Sequence, residues 1–172
     1  MKMFGLLRHL NREFFTALVA TLPNDIISTR IRIVVLGWFD IKIEKPAYVY
    51  RNVLILGKVS IGRGSSISNN TSINGASAGI FIGKNVMIGP GCCLVAFDHG
   101  TNLAAGPMIR QPLDESAIII NDDVWIGANC TITRGVTIGT GSIVGANSVV
   151  TCDLRANCIY AGAPAKYIKN RN

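Results

Sequence analysis

His99 is the side chain in this sequence best suited to moving a proton. It is one of two histidines, and it stands at the start of a stretch rich in Gly, Pro and polar residues, DHGTNLAAGPMIRQPLDESA over residues 98–117. A neutral imidazole within hydrogen-bond reach can take the proton of a weak nucleophile such as an alcohol and return it to a departing group. Such general-base help is typically worth ~10²–10⁴ in rate. The other histidine, His9, falls in an N-terminal helical pattern and lacks this setting. Asp98, directly before His99, either orients the imidazole or caps the loop. Near the end of the chain, Lys166 and Lys169 can meet phosphates as point charges, or they belong to a solvated basic tail.

The thiols read differently. Cys92, Cys93, Cys130, Cys152 and Cys158 are odd in number, and no pair has CxxC spacing. Several fall where small packing residues recur, so reduced thiols filling a core are expected, with no metal bound.

These residues hang on a six-residue beat. Ile43, Val49, Ile55, Ile61, Ile67 and Ile73 stand six apart; Ile82, Ile88 and Leu94 resume the count; Ile120, Ile126, Ile132, Ile138, Val144 and Val150 finish it. Six fits neither the helical period nor the alternation of a strand. It is the pattern of a chain coiling around a narrow core, with one inward residue per flat face and three hexads per triangular turn. The glycine or small polar residue after the inward position allows the tight corner. Asn69 stands at such a corner, where tolerance of a left-handed backbone is one reason for an asparagine. Trp125 departs from the small-or-polar habit of its hexad position.

The beat fails twice. A three-residue slip, SAG, separates Ile73 from Ile82, and a spacing of 26 residues separates Leu94 from Ile120. The longer interruption predicts a loop at 98–117 thrown out of the coil, and loops of that length in compact domains are usually functional. The coil is expected over 41–151, an irregular basic tail over 152–172 and a helical cap over 1–40. Within the cap, residues 3–20 carry a helical apolar face, Pro23 ends it, and Asn24 or Asp25 caps a second short helix that stops at Gly37. The first helix either covers the end of the coil or lies on a membrane surface.

The net charge of +7 suits an anionic partner, but no basic run with interleaved aromatics points to nucleic acid. No run approaches the ~18 apolar residues of a membrane span, and charged residues interrupt the N-terminal apolar stretch. A cytoplasmic protein is expected, with the N-terminal helix able to reach the inner face of the membrane.

Taken together, the hexads, the loop opening with His99, VWIGAN (124–129) and YAGAPAK (160–166) resemble the hexapeptide-repeat acyltransferases. The nearest likeness is to the galactoside/maltose O-acetyltransferase type and the polysaccharide O-acetyltransferases related to it. The resemblance implies an all-β, left-handed parallel β-helix, against the usual handedness of crossovers. It implies homotrimers that bind acetyl-coenzyme A in clefts between neighbouring coils, with His99 as catalytic base. Trp125 would stand beside the donor cleft; Ala128, Ala146 and Thr151 would line the pantetheine track; Lys166 and Lys169 would meet the nucleotide phosphates. Cys152 stands where relatives commonly carry a lysine. On the acceptor side the resemblance implies Asn69, Ser77 and Asp98. Ser77 falls where galactoside-type enzymes have an aspartate, so a free galactoside is not the expected acceptor.

The reading that follows is acetyl transfer from acetyl-coenzyme A to a sugar hydroxyl, in a surface polysaccharide or its precursor. N-acetylation of an amino sugar or small amine is a second reading, and a non-catalytic scaffold a third. A zinc enzyme on the same coil would need three histidine ligands, and the chain has two histidines.

Overall fold

The computed structural model of the protein describes residues 14–39 and 41–172. Most of the predicted first helix lies outside them; residues 14–20 are helical. From there the chain enters α1 (Ile26–Gly37). The Asp25 carboxylate caps it, accepting from the N–H groups of Ile27 and Ser28 at 2.9 Å each. The helix stops at Gly37, as the sequence predicts. Gly37 is the last helical residue, and Trp38, in right-handed conformation, closes the end on the carbonyls of Val34 and Val35. The β-branched residues of α1 cost helix propensity, and burial of Ile33, Val35 and Leu36 offsets it.

Arg32 holds this cap to the coil. It is only 2% exposed, and its guanidinium donates to the carbonyls of Val19 (3.0 Å), Leu22, Pro23 (2.9 Å) and Val49 (3.2 Å). A buried cation persists where carbonyls meet its donors, and here it satisfies three left over as the first helix ends and that of Val49.

The body is a three-faced parallel β-helix, as the period requires. Face I stacks β1 (Lys42–Ile43), β4 (Val59–Ile61), β7 (Ile80–Ile82), β12 (Ile118–Ile120) and β15 (Thr137–Ile138). Face II stacks β2 (Tyr48–Val49), β5 (Ser66–Ile67), β8 (Met87–Ile88), β13 (Trp125–Ile126), β16 (Ile143–Val144) and β18 (Cys158–Ala161). Face III stacks β3 (Leu54–Leu56), β6 (Ser72–Asn74), β9 (Cys93–Val95), β14 (Thr131–Ile132) and β17 (Val149–Val150). Where the beat is unbroken, Ile43 lies beside Ile61 and Ile120 beside Ile138. Where it slips, Ile61 lies beside Ile82 and Ile82 beside Ile120, so both insertions leave at the corner between faces III and I without disturbing register.

The inward residues are nearly all sealed: Ile67, Ile73, Leu94, Ile126, Ile132, Ile138, Val144 and Val150 are each 0% exposed. Full burial of such a side chain is worth roughly 1.5–3 kcal/mol. A second buried column precedes it, and on two faces this column is partly polar. Ser65, Thr71, Cys92, Cys130 and Ser142 each donate to a carbonyl of the following coil, at 2.7, 3.2, 3.1, 3.1 and 2.6 Å. The thiols thus stand in for hydroxyls in a repeated corner bond. The neighbouring Cys130 thiol and burial push the Cys92 thiol up, while the Cys92 thiol holds Cys130 below its ordinary range.

The residues after Thr151 are not an irregular tail. β18 turns back into β19 (Lys166–Asn170), antiparallel to it, and closes the last edge of face II. Arg171 then ties to Asp123 at 2.8 Å. Among the described residues no helix is long and apolar enough to cross a membrane.

Candidate functional site

The long loop is an ordered ribbon. β10 (Phe97–His99) pairs antiparallel with β11 (Leu113–Glu115), with Phe97 opposite Glu115, Asp98 opposite Asp114 and His99 opposite Leu113. Beyond the ribbon, buried Gln111 holds the tip. Its amide donates to the carbonyls of Asn102 and Gly106 at 2.8 Å, and its oxygen accepts from the Asn102 N–H at 2.9 Å. Leu103, Met108 and Ile109 are exposed there.

Side chains alternate along a strand, so His99 shares one face of the ribbon with Phe97, and Asp98 points to the other. The rings of Phe97 and His99 meet edge to face, with centroids 6.4 Å apart. His99 is exposed, and its ring nitrogens make no hydrogen bond to the described residues. It is therefore open to a nucleophile. Asp98 does not orient it: its carboxylate accepts from Arg134 Nε at 2.7 Å.

The ribbon is fastened on both sides. Arg134, at the III/I corner one coil further on, reaches Asp98 at 2.7 Å and Asp114 at 2.6 Å. Glu115 accepts from the Ser77 hydroxyl and from the N–H groups of Ser77 (3.0 Å) and Ala78 (3.1 Å). The Ser77 donation holds the Glu115 carboxyl below its ordinary range. The short SAG slip is thus the seat of the long loop, and Ser77 has a carboxylate beside it after all. Sequence reading missed Arg134, Glu115 and Gln111, because pairing across an insertion leaves no period to follow.

The remaining predicted residues lie elsewhere. Thr151 follows β17 at the III/I corner and is exposed. Ala128 and Ala146 stack at the II/III corner, where the Asn147 N–H donates to the Ala128 carbonyl at 2.8 Å. Asn69 belongs to the same corner. It accepts from the Asn24 amide at 2.8 Å, and the left-handed residue there is Asn70, not Asn69. The corner is packed to its limit: a Cβ on Gly127 would stand 2.6 Å from the Ala146 nitrogen. Trp125 projects from face II, 49% exposed, between Met87 and Ile143. Lys166 and Lys169 are exposed on β19. One chain thus presents the imidazole at one corner and the stacked small residues at another. A cleft of about 570 Å³ between α1 and the first coil, lined by Ile33, Lys45 and Tyr48 among others, contains none of these residues.

Comparison with known proteins agrees with this architecture. The family model "Bacterial transferase hexapeptide (six repeats)" matches residues 117–152. Among curated proteins, the chain is 33% identical over 126 residues to WbbJ of Escherichia coli (strain K12), named for O-acetyl transfer in lipopolysaccharide biosynthesis, covering 66% of this chain and 64% of that protein. The chain spans less than two thirds of the curated relatives it matches. Among solved structures, AntD of Bacillus cereus, an N-acyltransferase in complex with dTDP and 3-hydroxybutyryl-CoA, superposes with a TM-score of 0.68 at 27% identity, over 77% of this chain and 78% of that one. A maltose O-acetyltransferase from Clostridium difficile 630 shares the fold, with a TM-score of 0.69 at 23% identity, over 97% of this chain and 88% of that one.

Proposed function

We propose that this chain, a member of the bacterial hexapeptide-repeat transferases, moves an acetyl group from acetyl-coenzyme A to a hydroxyl of a saccharide, with His99 as general base. The observation that carries the reading is the exposed, unbonded imidazole on a ribbon fastened at two points to a rigid coil. A sugar hydroxyl is a weak nucleophile at neutral pH. His99 takes its proton as the oxygen attacks the thioester carbonyl, and the imidazolium returns that proton to the departing thiolate. No covalent acyl-enzyme is required, because positioning both reactants supplies much of the rate.

The donor belongs on the II/III corner. Ala128 and Ala146 leave room for the pantetheine arm, Trp125 offers a flat half-exposed wall, and Lys166 and Lys169 add positive charge for the phosphates. Since imidazole and stacked small residues sit at different corners of one chain, the productive site brings the III/I corner of one copy against the II/III corner of the next. A cyclic trimer accomplishes this with one repeated heterologous interface. The exposed Leu103, Met108 and Ile109 of the loop are surface that such a neighbour would cover. Asn69, on the donor corner, then faces the acceptor from the neighbouring copy, while Ser77 and Asp98 serve the ribbon.

The likeness to AntD supports a second reading, acyl transfer to the amine of an amino sugar, since AntD is solved with a 4-amino-4,6-dideoxyglucose nucleotide. The test is release of free thiol from acetyl-coenzyme A with maltose, glucosamine and a lipopolysaccharide-derived oligosaccharide, wild type beside His99→Ala. Turnover lost in the variant supports the base, and the preferred acceptor separates O- from N-transfer. Turnover equal in both removes His99 from the mechanism. Absence of coenzyme A binding in either protein leaves the scaffold reading.

A further inference from the structure

Arg134 occupies an unusual position for a surface arginine. Its partners, Asp98 and Asp114, lie directly opposite each other in the ribbon, where two like charges push the strands apart. The ribbon has three residue pairs, so an uncompensated repulsive pair at its centre would oppose a large fraction of what holds it. Arg134 Nε bonds Asp98 and its Nη2 bonds Asp114, at 2.7 and 2.6 Å. One guanidinium fork thus neutralises both strands at once. The fork is anchored between β14 and β15, whose ladder bonds fix it to the coil.

We propose that Arg134 is a positioning residue for His99: by clamping Asp98 and Asp114 it sets the height and tilt of the ribbon whose other face carries the imidazole. The inference rests on His99 being the base. Glu115 holds the ribbon at one strand only, at the Ser77–Ala78 seat. Without a second fastening the ribbon can roll about that seat and carry His99 with it. A misplacement of about 1 Å at a reacting group can cost ~10²-fold in rate. Exposed ion pairs contribute little to global stability, so the consequence falls on geometry. Both of the bonded guanidinium nitrogens face carboxylates, which makes a donor-phosphate role a poor description of this side chain.

The test compares the full chain as wild type, Arg134→Gln, Arg134→Lys, the triple variant Arg134→Gln/Asp98→Asn/Asp114→Asn, and His99→Ala. For Arg134→Gln the expected result is a ~10–100-fold loss of kcat, KM for acetyl-coenzyme A within about twofold and Tm within about 4 °C. Hydrogen exchange should quicken in peptides covering 97–99 and 113–115 and stay slow in the coil; this arm needs no acceptor. The triple variant, with the repulsion removed as well, should regain severalfold in kcat over Arg134→Gln, and Arg134→Lys, which keeps the charge but not the fork, should fall between. Unchanged ribbon exchange in Arg134→Gln, a loss confined to KM for acetyl-coenzyme A, or a triple variant no better than the single would overturn the clamp. Full activity in His99→Ala instead strikes the base itself. A dead His99→Ala beside a fully active Arg134→Gln strikes only the clamp.

Discussion

The II/III and III/I corners are made from the same hexads, yet they are built for opposite tasks. At II/III the beat is never interrupted, and Gly89 and Gly127 stack so closely on Ala128 and Ala146 that a methyl group added to either glycine would meet backbone. At III/I the beat breaks twice. The short break seats the long one through Glu115, and Arg134 fastens the ribbon from the next coil. A regular corner of small residues leaves a smooth surface with no projecting polar group. A corner that departs from the repeat can place one polar side chain where the coil itself has none.

That contrast can be broken most severely at His99. His99→Ala should lower kcat by ~10²–10⁴ and leave circular dichroism and Tm unchanged, because the side chain is exposed and bonds nothing. Ile126→Ala, in the sealed column below the II/III corner, should do the reverse. Loss of a fully buried isoleucine is expected to cost ~2–5 kcal/mol by denaturant unfolding, with kcat per folded molecule retained. Gly127→Ala sharpens the comparison within one corner. Its Cβ meets the Ala146 nitrogen at 2.6 Å, so the backbone must shift, and both stability and KM for acetyl-coenzyme A should worsen, the former by ~1–3 kcal/mol. Lys166→Ala should raise that KM by about fivefold or less, as an exposed charge on a phosphate allows.

The smallest expected effect is with acid. Hydrogen bonds from Ser28 and Ser77 hold the Asp25 and Glu115 carboxyls below their ordinary range. Groups with lowered folded-state pKa contribute stability fully above the unfolded value, near pH 4, and lose it as pH falls through the folded value. The start of α1 and the ribbon should therefore loosen below about pH 4 before the coil does, measurable by hydrogen exchange across that range.

How far the sequence could be read follows from what repeats. A single inward residue every six positions dictates the triangular coil, and each departure from the count marks an insertion, so the faces, the register and the loop were legible. The hexad cysteines were legible too, since Cys92 and Cys130 take places that Ser65, Thr71 and Ser142 also fill. What did not repeat was not legible. Arg32 reads as a polar residue on a helix, and nothing local says that it will meet carbonyls from three separate stretches. The β18–β19 hairpin has no hexad beat to announce it. At the candidate site, His99 stands out by composition and placement, whereas the contacts of Arg134 and Glu115 form only when the ribbon folds back across the corner.

In the proposed mechanism each site takes its imidazole from one copy and its donor-binding corner from the next. Subunit complementation tests it most directly. His99→Ala keeps the donor-binding corner and loses the base; Ala146→Trp, at an exposed position, keeps the base and blocks that corner. Each should be inactive alone. Co-refolded in equal amounts, they should regain about a quarter of wild-type acetyl-coenzyme A turnover, the fraction of sites that draw both intact corners from random cyclic assembly. A mixture as inactive as its components, with mixed oligomers verified by mass, would contradict the account.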